Sequence, residues 1–172
     1  AKKQTYHNFA ANQVNYALGN NPSGMSYTVG FGSKYPQNPH HRTAHGSWTD
    51  RIDTPAYTRH ILYGALVGGP SSSDSFSDDR SSYQYTEVAC DYNAGFTGSL
   101  AKMYLLHGGS ALAGFPPPET PENEIFTETQ IIGSSSISVT LHIILNNKSA
   151  WPARKSDKLT WKYFVDLTEL YN

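Results

Sequence analysis

The stretch that most limits how this chain can fold is FPPPETP, residues 115–121. Three consecutive prolines favour an extended, semi-rigid connector. The sequence pattern also changes across them. Before the prolines, apolar residues recur at helical spacings between glycine-rich loops. Beyond them the pattern alternates: Ile137, Val139, Leu141 and Ile143 point one way while Ser138, Thr140 and His142 point the other. Leu159, Trp161, Tyr163 and Val165 repeat the alternation around Thr160 and Lys162, and alternation of this kind is the signature of a half-buried strand. The expected organisation is a mainly α region over residues 1–113, a proline-rich linker over 114–124, and a β region over 125–172. The two alternating segments are expected to pair, with the polar NNKSAWPARKSD as the turn region between them. Two strands do not make a stable domain by themselves. A chain of 172 residues suits one domain, or one and a fraction, and no internal repeat is visible.

In the α region, residues 2–18 read as a helix. Tyr6, Phe9, Ala10, Gln13, Val14 and Ala17 fall near three/four spacing, and Gly19 supplies the terminus. Asn20, Asn21, Pro22 and Gly24 make a turn. Residues 26–31, SYTVGF, are extended and form a short strand. Regular periodicity is lost over residues 32–53, a long loop in which Pro39 and Gly46 argue against any helix. A short apolar segment, HILYGALV, follows at 60–67 and is stopped by Gly68, Gly69 and Pro70. A second helix is expected over residues 87–106, with Thr86 as its N-cap and Gly108 and Gly109 ending it.

Charge narrows the function classes. The formal net charge is −1, without a basic block, so the electrostatic footprint of a nucleic-acid binder is missing. No run of 18 apolar residues exists to span a membrane as a helix. Twelve Tyr, three Trp and seven Phe against 16% charged residues describe a surface suited to carbohydrate. Cys90 is the one cysteine, so an internal disulfide is impossible, and its neighbours Val88 and Ala89 suggest a buried structural thiol. The opening AKKQTYHNFA has neither an initiator Met nor a signal-peptide pattern, and the chain is expected to start in mid-protein.

Chemistry concentrates in residues 75–104. Asp74, Asp78, Asp79, Glu87 and Asp91 lie close together, with Arg80 as the opposing charge and Phe76, Tyr83, Tyr85, Tyr92 and Phe96 threaded among them. Carboxylates interleaved with aromatics suit sugar chemistry, because acids move protons and flat rings stack on pyranose faces. The competing reading is a solvated acidic loop leading into an amphipathic helix. A second cluster holds His40, His41, Arg42, His45 and Trp48. His41 and His45 have the i, i+4 spacing of a two-histidine zinc motif, although no Glu follows His41 and no helix is expected there. The alternatives are a polar clamp, in which His40, His41 and Arg42 hydrogen-bond to hydroxyls while Trp48 stacks, and a surface loop without a ligand.

Three blocks then carry a resemblance. They are NYALGNNPSGMSYTVGFGSKYPQNPHHRTAHGSW over residues 15–48, HILYGALVGGP over 60–70, and the fixed gaps linking Phe76, Asp78, Tyr83, Glu87, Asn93 and Ala94. The chain resembles the C-terminal part of a glycoside hydrolase family 9 catalytic domain. Beyond the prolines, ETPENEIFTETQI and NNKSAWPARKSDKLTWKYFVDLTEL resemble the start of a family 3c carbohydrate-binding module. The resemblance implies the C-terminal part of an (α/α)6 barrel followed by a partial all-β sandwich. It implies a secreted, extracellular endo-acting enzyme that cleaves cellulose and related β-1,4-glucans with inversion, and no nucleic-acid or membrane partner. Carried over residue by residue, Glu87 is the general acid, Asp78 the aspartate of the same signature and His40 the marked histidine of the first one. Arg42 belongs to that first signature, Tyr92 stands near the scissile bond, and His41 and Trp48 join them in binding sugar.

A protonated acid at a helix N-terminus is a tension, since the dipole favours the ionised form. Asp78, and Asp91 one helical turn from Glu87, are expected to offset it by like-charge repulsion. The family's catalytic base has no counterpart here and is expected upstream of Ala1, together with most of the barrel. The isolated chain is therefore expected to be inactive. No cofactor is needed for the chemistry, and a structural calcium is conceivable at Asp166 in a complete module. Two other functions stay open: a non-catalytic carbohydrate-binding fragment, and a zinc hydrolase on the histidine loop.

Overall fold

The computed structural model describes residues 2–120, 122–149, 153–155 and 157–164. The chain divides into two compact units, Ala1–Pro117 and Pro118–Asn172, so the division falls inside the run of prolines.

In the first unit, helix α1 spans Lys2–Ala17. It ends as the side chain of Asn21 donates to the carbonyls of Tyr16 and Met25 at 2.8 and 2.7 Å, turning the chain back on itself. The segment that follows is the core of the unit. Met25, Tyr27, Val29 and Val67 are buried together, with Tyr16, Leu62, Phe76 and Val88 packed around them. The expected strand over residues 26–31 does not form: the chain turns at Val29 and Gly30, with Gly30 at φ 76° and the Phe31 amide donating to Thr28 at 3.2 Å, and the pairing is a single antiparallel bridge, Thr28 to Leu66. The reason lies in the local bonding. Val29 donates to Ala65 and Val67 to Tyr27, yet Tyr27 itself donates to Ala17 at the end of α1, so no ladder propagates.

The long loop does hold a helix, contrary to expectation. It is the single turn α2, Arg42–His45, with the His41 side chain accepting from the Ala44 amide and Gly46 closing it at φ 67°. Pro39 precedes the turn and Gly46 follows it, so both helix breakers sit where a helix tolerates them.

The second long helix also begins later than the sequence suggests. A single turn α3, Tyr83–Thr86, comes first, Glu87 is its extended C-cap at φ −62° and ψ 143°, and α4 spans Cys90–His107 with Ala89 as N-cap. Thr86 is therefore no N-cap. It is fully buried, and its hydroxyl lies 3.2 Å from the carbonyls of Asp79 and Ser82. Cys90 is exposed rather than buried, because α4 turns its Phe96 side inward and leaves its first residue towards solvent. Helices α1 and α4 pack against each other. Large apolar side chains on both remain exposed, among them Tyr6, Phe9, Tyr104 and Leu105. Among the described residues no helix is long and apolar enough to cross a membrane.

The second unit is an antiparallel hairpin of β1, Ile125–Ser134, and β2, Val139–Asn147. β2 pairs with β1 rather than with residues 159–164, the described part of the segment expected to partner it. Residues 159–164 carry no strand, and Val165 and Asp166 lie outside the described residues. β1 takes the place because it is rich in β-branched Ile and Thr, which suit the pleated surface, and because a four-residue connection is cheaper to close than a long polar one. A bulge between Ile131 and Gly133 interrupts the register.

Candidate active site

Three segments far apart in sequence meet through single bridges. His40 pairs in parallel with Glu87, and Val67 pairs antiparallel with Val88. The His40 amide donates to Thr86 at 2.8 Å, and the Gly68 amide donates to Glu87 at 2.9 Å. The histidine loop and the acidic loop, singled out separately in the sequence, are thus neighbours through their main chains. Glu87 stands between them with its main chain fixed on both sides. Its amide donates to Tyr83 at 2.8 Å, and its carbonyl accepts the Tyr92 hydroxyl at 2.6 Å. Its side chain faces outward, since Glu87 is exposed.

Glu87 is consequently not in the first turn of a helix, and the dipole tension does not arise. Nor is Asp91 one helical turn away: it lies in the first turn of α4, where its carboxylate accepts the Tyr92 amide at 2.9 Å. Asp78 has a bonding role that the sequence did not reveal. One oxygen accepts the Gln37 amide at 2.8 Å and the other the Asn38 amide at 3.0 Å, so the carboxylate ties the histidine loop down. Tyr92 has its hydroxyl pKa raised, first by burial and then by the negative charges of Glu87 and Asp91. It stays a hydrogen-bond donor.

The histidine loop wraps a pocket of about 170 Å³ lined by His40, His41, Arg42, Asp50, Ile52 and Arg80 among others. Hydrogen bonding assigns the ring protons. The Nδ1 of His40 sits 2.6 Å from the Arg80 carbonyl, which can only accept, so that nitrogen carries a proton. His41 is the reverse: its Nδ1 accepts the Ala44 amide at 3.1 Å, and burial lowers its pKa. His45 is buried with its Nε2 donating to the Pro55 carbonyl at 2.7 Å. His41 and His45 do share one helical turn, but His41 Nδ1 and His45 Nε2 are committed to different main-chain groups. Among the described residues no three metal-binding side chains converge. Arg42 forms an exposed ion pair with Asp50. Trp48, 36% exposed, has the Arg59 guanidinium 4.1 Å from its ring centre, a cation–π contact on that face. The ring of Tyr83 meets His40 edge-on at 6.2 Å.

The residue that sequence reasoning passed over is Arg80. It is only 6% exposed. Its guanidinium donates to the Ile52 carbonyl at 2.8 Å, Thr58 Oγ1 at 2.9 Å, Asn38 Oδ1 at 3.1 Å and the Ala56 carbonyl at 3.4 Å. Burial lowers its pKa, with the nearby charges of Asp79 and Asp78 acting the other way. The available signal was its place as the cation in a run of carboxylates, which marks a charge with a reason to be there.

Residues 1–100 match the model of glycosyl hydrolase family 9, and the chain belongs to that family. It is 49% identical over 172 residues to Endoglucanase A of Bacillus pumilus, covering 99% of this chain and 26% of that protein. Endoglucanase B of Cellulomonas fimi is 49% identical over 170 residues, covering 96% of this chain and 16% of that protein. Among solved structures, endoglucanase CelQ from Clostridium thermocellum complexed with cellotriose superposes with a TM-score of 0.72 at 54% identity, over 88% of this chain and 25% of CelQ. The cellulase Cel9M in complex with cellobiose gives 0.57 at 47% identity, over 61% of this chain and 24% of Cel9M. The chain thus spans about a quarter or less of the length of these relatives.

Proposed function

We propose that this chain forms part of an endo-acting β-1,4-glucanase that hydrolyses cellulose with inversion, and that Glu87 is its general acid. The observation that carries the reading is the pairing of His40 with Glu87, which makes one site of the two signature loops. On this reading Glu87 protonates the departing glycosidic oxygen. Tyr92 and Asp78 hold the acid and the histidine loop in place, and His40, His41, Arg42 and Trp48 contact the sugar. An inverting site needs a second carboxylate, about 6.5–9.5 Å from the acid, to activate water. We assign that base to sequence outside this chain, along with the rest of an (α/α)6 barrel, and take the enzyme to act outside the cell.

The second unit is read as the start of a family 3c carbohydrate-binding module. Similarity to Endoglucanase A supports this, because it continues past residue 100, where the family match stops. No cofactor enters the proposed reaction. The suggested calcium ligand, Asp166, lies outside the described residues and no step uses it.

The test is reducing-sugar release from carboxymethylcellulose by Endoglucanase A in which the matching segment is replaced by this chain. The chimera should turn over. Glu87→Gln within it should lower kcat by about 10²–10⁴-fold, the usual contribution of a general acid, and leave cello-oligosaccharide binding largely intact. Turnover surviving that change would remove Glu87 from the role. Binding without turnover in the unmutated chimera would favour a non-catalytic carbohydrate-binding function.

A further inference from the structure

We propose that Arg80 is a positioning residue that sets the tautomer and orientation of His40 from both of its own ends. The inference rests on the reading of His40 and Glu87 as parts of one glucan-cleaving site. At one end, the Arg80 carbonyl accepts from His40 Nδ1 at 2.6 Å. The neutral ring then has its proton on Nδ1, and Nε2 is left as an acceptor for a sugar hydroxyl. At the other end, the guanidinium reaches across the histidine loop to Asn38, Ile52, Ala56 and Thr58. Asn38 lies just before His40, and residues 52–58 form the return of the same loop. The carbonyl that orients the ring is therefore anchored to the loop that carries the ring.

Arg80 Nη1 donates to the Ile52 carbonyl while Nη2 reaches Asn38, Ala56 and Thr58, a spread over two fixed nitrogens that a lysine ammonium, with its donors at one point, does not reproduce. The arrangement is not the most stable packing available. Arg80 Nε is buried with no hydrogen-bond partner among the described residues, and a buried cation is often less stabilising than an apolar side chain of its size. A buried cation with an unmet donor, on a residue that also lines the histidine-loop pocket, fits a positioning role better than a purely structural one.

The experiment uses the CelQ-like whole enzyme carrying this segment, labelled with ¹⁵N-histidine, with the His40 signals assigned by their loss in His40→Gln. In the unmutated protein the ¹⁵N shifts should show a single Nδ1–H tautomer for His40. Arg80→Lys should populate the Nε2–H form and lower kcat, per folded molecule, by roughly tenfold to a hundredfold, the penalty for a small misplacement of a reacting group. A merely structural role would lower the folded fraction without moving the tautomer. Should Arg80→Lys fold poorly, Thr58→Val removes one acceptor of the fork and keeps Arg80; the same tautomer change, smaller in extent, is expected. A His40 ring that stays wholly Nδ1–H in whichever of these variants folds overturns the proposal. If the unmutated enzyme releases no sugar but the tautomer still follows Arg80, the positioning role stands and the cellulase reading falls.

Discussion

Asp78 and Glu87 belong to the same acidic stretch, yet their side chains are used in opposite ways. Asp78 spends both oxygens on the Gln37 and Asn38 amides, whereas Glu87 is held by its main chain and leaves its carboxyl group outward. Replacing Asp78 with Asn puts an NH₂ against one of two amide donors. A buried or half-buried donor left without an acceptor costs about 1–3 kcal/mol, so Asp78→Asn should lower the midpoint of urea unfolding. It should also weaken sugar binding by loosening the loop, and the positions of the acidic and basic limbs of the pH–rate profile should stay where they are. A displaced limb together with unchanged stability would instead make Asp78 an electrostatic neighbour of the acid. The sequence made both carboxylates visible through their fixed spacing. It could not say which was structural, because that depends on amides forty residues away.

Among the elements, α1 is tied to the acidic loop by one bond. The Tyr16 hydroxyl donates to Asp74, and this bond, with burial and the Asp74 charge, pushes the phenol up to about 12. The folded state therefore holds the phenolic proton more tightly than the unfolded chain. The stabilisation is complete below the ordinary tyrosine pKa near 10 and is lost as pH rises from there towards about 12. Thermal melting followed across that window should show a steeper alkaline decline for the native protein than for Tyr16→Phe, and parallel curves would dismiss the bond as a contributor.

Helix α1, Lys2–Ala17, was legible because apolar residues from Tyr6 to Ala17 recur near three/four spacing and Gly19 marks its end. The start of α4 was not. Thr86 satisfies the local rule for an N-cap, but its hydroxyl is drawn into bonds with Asp79 and Ser82, and burial overrides the local preference. The one-turn helix α2 was hidden for a similar reason, since its cap is a histidine rather than the usual Ser, Thr, Asp or Asn. In the second unit, alternation identified β2 but not β1, whose charged and polar residues blur the period while its β-branched residues still favour pairing.

On the scale of the whole molecule, much of the apolar surface has no cover among the described residues. Tyr6, Phe9, Leu105 and Leu106 stand open on α1 and α4, and the hairpin exposes Ile131, Ile132, Ile137 and Val139. Large apolar side chains left open to solvent in this number favour association or dye binding. The 172 residues expressed by themselves should bind an apolar dye strongly, unfold over a broad range of urea and show no turnover. A sharp, concentration-independent unfolding transition of a monomer would contradict that expectation. The proline connector was readable from composition, and the division into two units falls within it.

The bridges that assemble the site also impose an order on synthesis. His40 has its partner at Glu87 and Thr28 at Leu66, so each waits for sequence made well after it. At roughly 5–20 residues per second, the histidine loop leaves the ribosome some seconds before the acid that completes it. Glu87 and Val88 are then the closing stitches, joining His40 on one side and Val67 on the other. Nascent chains stalled before Glu87 has emerged should leave the half-buried Arg59 open to trypsin, and chains stalled well beyond it should protect it.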